Sequence, residues 1–505
     1  MTRNKCEVMK MNNLLILPII IPLIIGMVMV IIRNRIMLQR LLGILAIVAT
    51  GAVSAVLMFQ IKTDGIQVLH IGGWKAPFGV SFAADMFSAL LLITTSIVAL
   101  FCFLYAFRSI GKERELHYFY PLFLFLITGV NGSFITGDIF NLFVCFEVML
   151  ISSYVLISLG GTRLQLRESI KYVLVNLISS FLFLVVISYL YATIGTLNFA
   201  HLSVRVAEAG QDGLLTAISL LFLIVFSLKA GLLLFFWLPG SYSAPPTAIA
   251  AVFAALLTKV GIYSIIRIFT LVFYHEPEIT HLIIGIMSAL TMLLGAIGAI
   301  AYWDIKKILT YNVIVGVGFI LAGLASSTPE GLTGSLYYLI HDMIIKALLF
   351  LIGGTVIAII GTANLRDFSG LIQTYPYLGW MFFVAALSLS GIPPLSGFIG
   401  KVYITEGTFE AGYFWLGAIG LLTSLMVLYS VLKIFMYGFW GESYLNEETE
   451  KGKTKGLLFP IAALTALTIA LGLGAEGIHS FAELAVESLM DPSLYIDAVL
   501  GEYKG

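Results

Sequence analysis

The chain has 505 residues, of which 60% are hydrophobic and only 11% are charged, and its mean hydropathy is +1.02. Because a soluble domain carries about 25% charged residues, this composition excludes an ordinary soluble protein and indicates a polytopic membrane protein. Lysine plus arginine and aspartate plus glutamate number 28 each, so the balanced charge does not indicate a nucleic-acid partner.

Fourteen apolar segments follow one another along the chain, each near the length of about 20 residues that crosses a bilayer. We number them helix 1 to helix 14. They start near Leu14, Leu41, Met86, Tyr118, Ile139, Ile170, Leu214, Ala248, Leu282, Ile305, Gly334, Leu378, Trp415 and Gly456. Helix 1 lacks a small-residue cleavage site and leads into helix 2, so we expect it to be retained. Met1 and Met11 both stay open as functional starts.

Basic residues concentrate in alternate loops, which predicts the orientation because cytoplasmic loops carry an excess of lysine and arginine. The loops after helices 1, 3, 5, 9, 11 and 13 hold Arg33, Arg35, Arg40, Arg108, Lys112, Arg114, Arg163, Arg167, Lys306, Lys307, Arg366, Lys451, Lys453 and Lys455. The opposite loops hold only Lys62, Lys75 and Arg205. We therefore expect a multi-pass protein of a bacterial or archaeal cell membrane with both termini outside. The basic leader, with Arg3, Lys5 and Lys10, is discordant.

An internal repeat is visible as three matches with one common offset of 166 residues. Asp138-Ile139 recurs as Asp304-Ile305, Tyr172 recurs as Tyr338, and the stretch 263–269 recurs as 429–435. The offset spans five helices, an odd number, so the two copies must enter the membrane from opposite faces. This is the inverted-repeat architecture of many transporters.

The repeat divides the chain into four parts. We expect N-terminal helices 1–3 in residues 1–117, the first five-helix repeat in 118–273, the second and inverted repeat in 282–440, and helix 14 with an acidic tail in 441–505. The fold class predicted is thus all-α and polytopic, with about 14 transmembrane helices.

Helices 7 and 12, at corresponding positions of the two repeats, are predicted to be broken. Helix 7 contains Gly231 and Pro239, and helix 12 contains Gly391, Pro393 and Pro394. Proline removes a backbone donor and glycine weakens a helix, and irregular backbone at membrane depth is tolerated where it lines a cavity or is buried in protein. The alternative is a proline kink that serves packing alone.

Glu147 and Lys229 lie deep in helices 5 and 7, where a charge costs at least roughly 2.5 to 3.5 kcal/mol on insertion scales. An isolated carboxyl would be protonated in hydrocarbon, whereas a lysine within roughly 4 to 6 Å keeps it ionised. We therefore pair Glu147 with Lys229 as the start of a proton relay. A static buried ion pair is the alternative, although such pairs stabilise proteins weakly.

Four further ionisable residues extend this row through helices 8, 11 and 12. They are Lys259, His341, Lys346 and Lys401. A histidine suits proton transfer near neutral pH, and the alternative for His341 is a hydrogen-bonded core histidine. Other polar residues are expected at helix ends, as caps, topology anchors or snorkelling side chains. These are Asp85, Asp138, Lys171, Asp304, Asp342, Arg267 and Lys433.

Catalytic, cofactor and metal motifs are absent from the sequence. The cysteines Cys6, Cys102 and Cys145 fit neither a disulfide framework nor a metal site. No His/Cys cluster, phosphate-binding loop or nucleophile elbow occurs. We expect no metal, no cofactor, no nucleic-acid partner and no enzyme activity in this chain.

In the charged residues of these helices, the chain resembles the antiporter-like subunits shared by respiratory complex I, membrane-bound hydrogenases and the multisubunit Mrp sodium/proton antiporters. Glu147, Lys229 and Lys259 match the family's charged residues on helices 5, 7 and 8. His341 and Lys346 match helix 11, and Lys401 matches the charged position of helix 12. The stretches 237–246 and 303–312 resemble the D-subunit branch of the Mrp group.

The resemblance implies one subunit of a larger membrane complex that exchanges sodium for protons, with other membrane subunits, both ions and the lipid bilayer as its partners. Two alternatives stay open. One is the membrane subunit of a redox-driven proton pump, such as a complex I-like NADH dehydrogenase or a hydrogenase. The other is a structural scaffold that has kept old charges.

Overall fold

The computed structural model describes residues 12–211, 213–442, 454 and 456–501. Six basic residues of the leader and the last basic loop lie outside these described residues. They are Arg3, Lys5 and Lys10 of the leader and Lys451, Lys453 and Lys455 of the last basic loop. Cys6 and both candidate starts also lie outside them.

Helices make up most of the described chain. In the N-terminal part and the first repeat they are α1 Leu17–Ile31, α2 Ile36–Asp64, α3 Met86–Ser109, α4 Lys112–Leu116, α5 Phe119–Ile135, α6 Ile139–Ser158, α7 Arg163–Ile194, α8 Phe199–Ala209, α9 Gly213–Ala230, α10 Leu238–Ser243, α11 Thr247–Val252 and α12 Thr258–Leu271. A π-helical turn, Phe253–Leu257, joins α11 to α12 as one membrane segment.

The second repeat and the C-terminal part follow the same plan. Their helices are α13 Pro277–Ala301, α14 Ile305–Ser326, α15 Pro329–Ile360, α16 Leu371–Thr374, α17 Pro376–Ser390, α18 Ser396–Glu410, α19 Phe414–Ile434, α20 Leu458–Leu473, α21 Ala475–Met490 and α22 Pro492–Leu500. A second π-helical turn, Phe435–Phe439, ends the segment of α19.

The membrane segments agree with the sequence. Within the described residues, eleven helices are long and apolar enough to cross a bilayer, and the bent pair of α20 and α21 would make a twelfth. Two shorter apolar helices, α5 and α17, correspond to predicted helices 4 and 12. The polytopic all-α architecture is therefore confirmed. A small antiparallel hairpin between α2 and α3, Gln67–His70 with Ser81–Ala84, was not predicted.

The two repeats share a backbone signature. Asp138 forms an isolated antiparallel bridge with Asn198, and Asp304 forms the same bridge with Asn364. Both partners keep the offset of 166 residues seen in the sequence. Each aspartate also caps the helix that follows it, because its carboxylate accepts backbone N–H groups of α6 or α14. Both copies therefore start their second helix in the same way.

Glycines in the left-handed region end the first halves of both broken helices. α9 stops at Ala230, Gly231 has a φ of 78°, and regular helix resumes only at Leu238. α17 stops at Ser390, Gly391 has a φ of 85°, and α18 starts at Ser396. Glycine adopts this conformation without steric cost, so the glycines set both breaks.

The prolines of the broken helices follow the glycines and do not start the breaks. Pro239 lies in the first turn of α10, where a missing N–H costs little. Pro393 and Pro394 lie in the short connection between α17 and α18. The breaks predicted for helices 7 and 12 are therefore present, and both begin at the glycine.

Candidate functional site

The ionisable residues predicted for the relay lie inside the helix bundle. Lys229, Lys259, His341, Lys346 and Lys401 are all buried, with at most 8% of the side chain exposed. Glu147, the sixth residue of the row, is half-buried. Burying a charged group costs free energy unless it has a partner. The contacts of each side chain therefore show how its charge is compensated.

Glu147 and Lys229 are connected through a third residue. Ser180, on α7, donates a short hydrogen bond to Glu147 Oε1. Lys229 Nζ donates to Ser180 Oγ at 3.2 Å. The predicted pair is therefore joined by a hydroxyl bridge, and Glu147 and Lys229 themselves form no ion pair within 4.0 Å. The sequence gives only a weak signal for Ser180, which is one polar residue in an apolar helix.

The break in the helix stabilises the ammonium group of Lys229. This lysine lies in the last turn of α9, where the helix dipole places negative partial charge. Its Nζ is 4.8 Å from the centroid of the Phe146 ring, a favourable cation–π distance. Trp237, beyond the break, donates from Nε1 to the carbonyl of Leu228 at 3.0 Å and so satisfies one of the freed carbonyls.

Lys259 and Lys346 share one carboxylate at the centre of the molecule. Asp342 Oδ2 lies 2.6 Å from Lys259 Nζ, and Asp342 Oδ1 lies 3.2 Å from Lys346 Nζ. All three side chains are at most 1% exposed. Lys259 also donates to the carbonyl of Ala254 at 2.9 Å, in the π-helical turn that precedes α12.

The expectation that Asp342 is a helix cap or topology anchor was wrong. It lies in the middle of α15, completely buried between two lysines. One sequence signal could have revealed it, because Asp342 and Lys346 are four residues apart and face the same side of a helix. The neighbouring helix leaves room for it at Gly316, where a Cβ would lie 2.6 Å from Asp342 Oδ1.

His341 connects α15 to the second broken helix. Its Nδ1 is 2.8 Å from Ser396 Oγ, at the start of α18. Its Nε2 has no hydrogen-bond partner among the described residues and faces Gly397, where a Cβ would lie 2.9 Å away. The ring also packs against Tyr338 at 5.2 Å between centroids. His341 thus lies beside the break of helix 12.

Lys401 has only neutral hydrogen-bond partners within the described residues. Its Nζ donates to the carbonyl of Ser390 at 3.0 Å and to Ser424 Oγ at 3.1 Å. The Ser390 carbonyl is the last one of α17, where a helix lacks intrahelical donors. The Phe319 ring centroid is 5.0 Å from the same nitrogen. Both broken helices therefore place a lysine at the carbonyl end of their first half.

A cavity of about 860 Å³ leads from Lys401 to the protein surface. Its inner wall includes Ser390 and Gly391, and its outer part carries Glu330, Glu406 and Glu410. These glutamates lie at the start of α15 and the end of α18. The cavity therefore extends from Lys401 toward the end of the bundle where α14 ends and α15 begins, and exposed apolar side chains such as Val402 and Leu421 also line it.

Two basic residues outside the row differ in how they are held. Arg267 was expected to snorkel, but it is buried and forms a two-bond ion pair with Asp85, at 2.6 and 2.8 Å. Lys433, at the equivalent position of the second repeat, donates to the carbonyls of Ile300 and Tyr302. Arg267 therefore links α12 to the N-cap residue of α3, and Lys433 links α19 to the end of α13.

The acidic and histidine side chains of the described residues are spread out or already engaged. No group of three or more His, Cys, Asp or Glu side chains there could hold a metal ion. Asp342 and Glu147 are both engaged by lysine or serine. A hard cation favours several oxygen ligands, and neither carboxylate belongs to such a group in the described chain.

Comparison with known proteins shows which family this chain belongs to. Residues 136–427, more than half of the chain, match the family described as NADH:quinone oxidoreductase/Mrp antiporter, TM. The chain belongs to this family. It is 50% identical over 493 residues to the D-subunit of the Na(+)/H(+) antiporter of Bacillus subtilis strain 168, covering 97% of this chain and 100% of that protein.

Solved structures agree with this family membership. One chain of the Mrp complex from Dietzia sp. DQ12-45-1b superposes with a TM-score of 0.90 at 30% identity, over 97% of this chain and 100% of that chain. A chain of respiratory complex I from Thermus thermophilus with bound NADH gives a TM-score of 0.77 at 25% identity, over 94% and 100%. The family suggested by the sequence is confirmed, while the roles of individual residues stay predictions.

Proposed function

We propose that this chain is the proton-carrying subunit of a multisubunit sodium/proton antiporter. The observation that carries the proposal is a row of four buried lysines, one buried histidine and two carboxylates, of which Asp342 is buried and Glu147 half-buried, that ends in a cavity at Lys401. The 50% identical relative is itself the D-subunit of a Na(+)/H(+) antiporter. The other membrane subunits of such a complex are the partners that we propose.

Charge balance in the row favours proton movement. Lys229 is connected to Glu147 through the Ser180 hydroxyl, and Lys259 and Lys346 both pair with Asp342. Lys401 has no carboxylate partner in the described chain. Four charged lysines would therefore face only two carboxylates. Because like charges repel strongly in a low dielectric, a proton arriving at one lysine favours the release of a proton from another.

The row consists of three groups, and protons must pass between them. The first is Glu147 with Ser180 and Lys229, the second is Lys259 with Asp342 and Lys346, and the third is Lys401 with its cavity. Hydroxyl groups contact two members of the row, with Thr258 beside Lys259 and Ser396 beside His341. His341, whose Nε2 faces the break, is the proposed carrier between the second and third groups.

Proton uptake is proposed at Lys401. With both termini outside, the face where α14 ends and α15 begins is the outer one, so the cavity opens toward the side of higher proton activity. The glutamates at its rim attract cations. Protons then travel from Lys401 toward Lys229, and the sodium path involves partner subunits, because lysines repel sodium.

The test is to purify the assembled complex through a tag on this chain, identify its other chains and measure exchange in proteoliposomes. An imposed proton gradient, acid inside, should drive sodium uptake without any electron donor. Co-purifying flavin or iron–sulfur subunits, together with proton pumping that requires an electron donor, would contradict the antiporter function and favour a redox-driven proton pump.

A further inference from the structure

A second cavity lies on the face that carries the basic loops, away from the row of buried lysines. Its volume is about 860 Å³, and it is enclosed by α4, the turns on either side of it and the loop between α6 and α7. Its polar wall is formed by Lys112, Glu113, Arg114, His117, Tyr118 and Gly160. We name it the α4 cavity.

The cations of the α4 cavity lack carboxylate partners within the described residues. There, Arg114 donates only to the carbonyl of Ile110, at 3.3 Å, and Lys112 has no ion pair. On the same face, by contrast, Arg40 pairs with Glu115 at 2.5 Å and lies outside the cavity. Glu113 is the single acidic residue of the lining, so the lining carries an excess of positive charge.

Two backbone features set the shape of this cavity. Gly160 has a φ of 120°, and a Cβ there would lie 2.8 Å from Arg114 Nε, so the glycine lets the guanidinium lie against the loop. Tyr118 adopts a φ of 59°, a strained conformation for a residue with a side chain. Its hydroxyl accepts a hydrogen bond from Arg33 at 2.9 Å, which brings another cation to the rim.

The apolar wall of the α4 cavity continues into the membrane. It contains Ile110, Leu159 and Val155. Val155 is also the last member of an exposed apolar row on α6, formed by Phe140, Val144, Ile151 and Val155. Residues three and four apart share one face of a helix, so this row leads from the cavity toward the depth of Glu147.

We propose that the α4 cavity binds the phosphate headgroup of an anionic phospholipid, with one acyl chain lying along the exposed row of α6. The unpaired cations fit the phosphate, and basic pockets at the cytoplasmic ends of membrane helices are suited to anionic headgroups. The apolar row distinguishes a lipid from free phosphate. An acyl chain on this row would cover the exposed side of Glu147, which lies between Val144 and Ile151 on the helix.

The test is native mass spectrometry of the delipidated, purified complex incubated with phosphatidylglycerol. Lys112→Gln with Arg114→Gln should weaken binding about thirtyfold, since each cation near the headgroup contributes about 1 kcal/mol. Arg35→Gln is the matched control, because Arg35 is exposed on the same face and does not line the cavity. Its affinity should equal that of the wild type.

Three results would overturn the proposal. They are unchanged phosphatidylglycerol binding by the double variant, equal binding of phosphatidylcholine with the same acyl chains, and displacement of the lipid by millimolar inorganic phosphate. If the double variant does not assemble, the single variant Lys112→Gln provides the test, because this exposed side chain has no hydrogen bond or ion pair within the described chain. It should weaken binding about fivefold, and an unchanged affinity would contradict the proposal.

Discussion

Asp342 Oδ2 lies 2.6 Å from Lys259 Nζ, and this contact joins the two repeats at the centre of the molecule. Lys259 belongs to the first repeat, while Asp342 and its second partner Lys346 belong to the other. One carboxylate therefore compensates a lysine from each half. The position equivalent to Asp342 in the first repeat is Asn176, which carries no charge, so the two copies have diverged at this point.

Asp342→Asn should abolish exchange and lower stability, because it leaves two buried lysines without a counter-charge. Removing one partner of a buried pair costs about 3 to 5 kcal/mol. Exchange in proteoliposomes and thermal unfolding of the complex are the measurements. Asp64→Asn, at the exposed end of α2, is the control and should change neither.

A second substitution separates stability from transport at the same site. Asp342→Asn combined with Lys346→Met removes one of the two uncompensated charges, so part of the lost stability should return while exchange stays absent. Wild-type exchange rates in this double variant would show that the central carboxylate and Lys346 carry no protons.

Gly316→Ala should reduce exchange about tenfold, because the added Cβ would lie 2.6 Å from Asp342 Oδ1 and displace the carboxylate from its lysines. Geometric displacement of about 1 Å at a reacting group is enough for losses of this size or larger. Gly477→Ala is the matched control, since no atom lies within 4 Å of a Cβ there. Equal rates in the two variants would contradict a positioning role for Gly316.

Ser180→Ala should slow exchange by about one order of magnitude, whereas Glu147→Ala and Lys229→Ala should abolish it. The hydroxyl bridges the two charged groups, and leaving buried polar groups unpaired costs about 1 to 3 kcal/mol. Ser188→Ala on the exposed side of the same helix is the control. The measurement is recovery of a quenched pH dye in inverted vesicles, and wild-type recovery in both alanine variants of the charged pair would end the relay hypothesis.

The cavity at Lys401 should be accessible to small reagents from the outside of the membrane. In a background with Cys6, Cys102 and Cys145 replaced by alanine, Thr405→Cys lines the cavity and should react with a membrane-impermeant maleimide added outside. Lys112→Cys, on the basic face, should react only from inside. The reverse pattern would show that the termini lie inside and that the cavity faces the cytoplasm.

Lys401→Met should abolish exchange, because methionine resembles the aliphatic part of lysine but has no group that takes up a proton. Lys62→Met is the control on the same face, since Lys62 contacts the Phe481 ring at the surface. Exchange rates measured as a function of the imposed proton gradient give the comparison. A Lys401→Met variant as active as the wild type would remove Lys401 from the proposed route.

The sequence by itself determined the membrane class, the repeat, the two breaks and the six residues of the predicted row. Each of these has a local signature, because a charge in hydrocarbon is costly whatever its partner is, and a glycine limits a helix by its own backbone. The common offset of 166 residues likewise needed only comparison of the chain with itself.

Only the tertiary structure decided which side chains pair with one another. Asp342 was assigned to a helix end, yet packing of α12 against α15 places it between two lysines. Ser180 has no charge to reveal it, and its bridging role depends on how α6, α7 and α9 meet. Side-chain partners and cavities arise from distances between helices remote in sequence, and these distances are set by packing of the whole bundle.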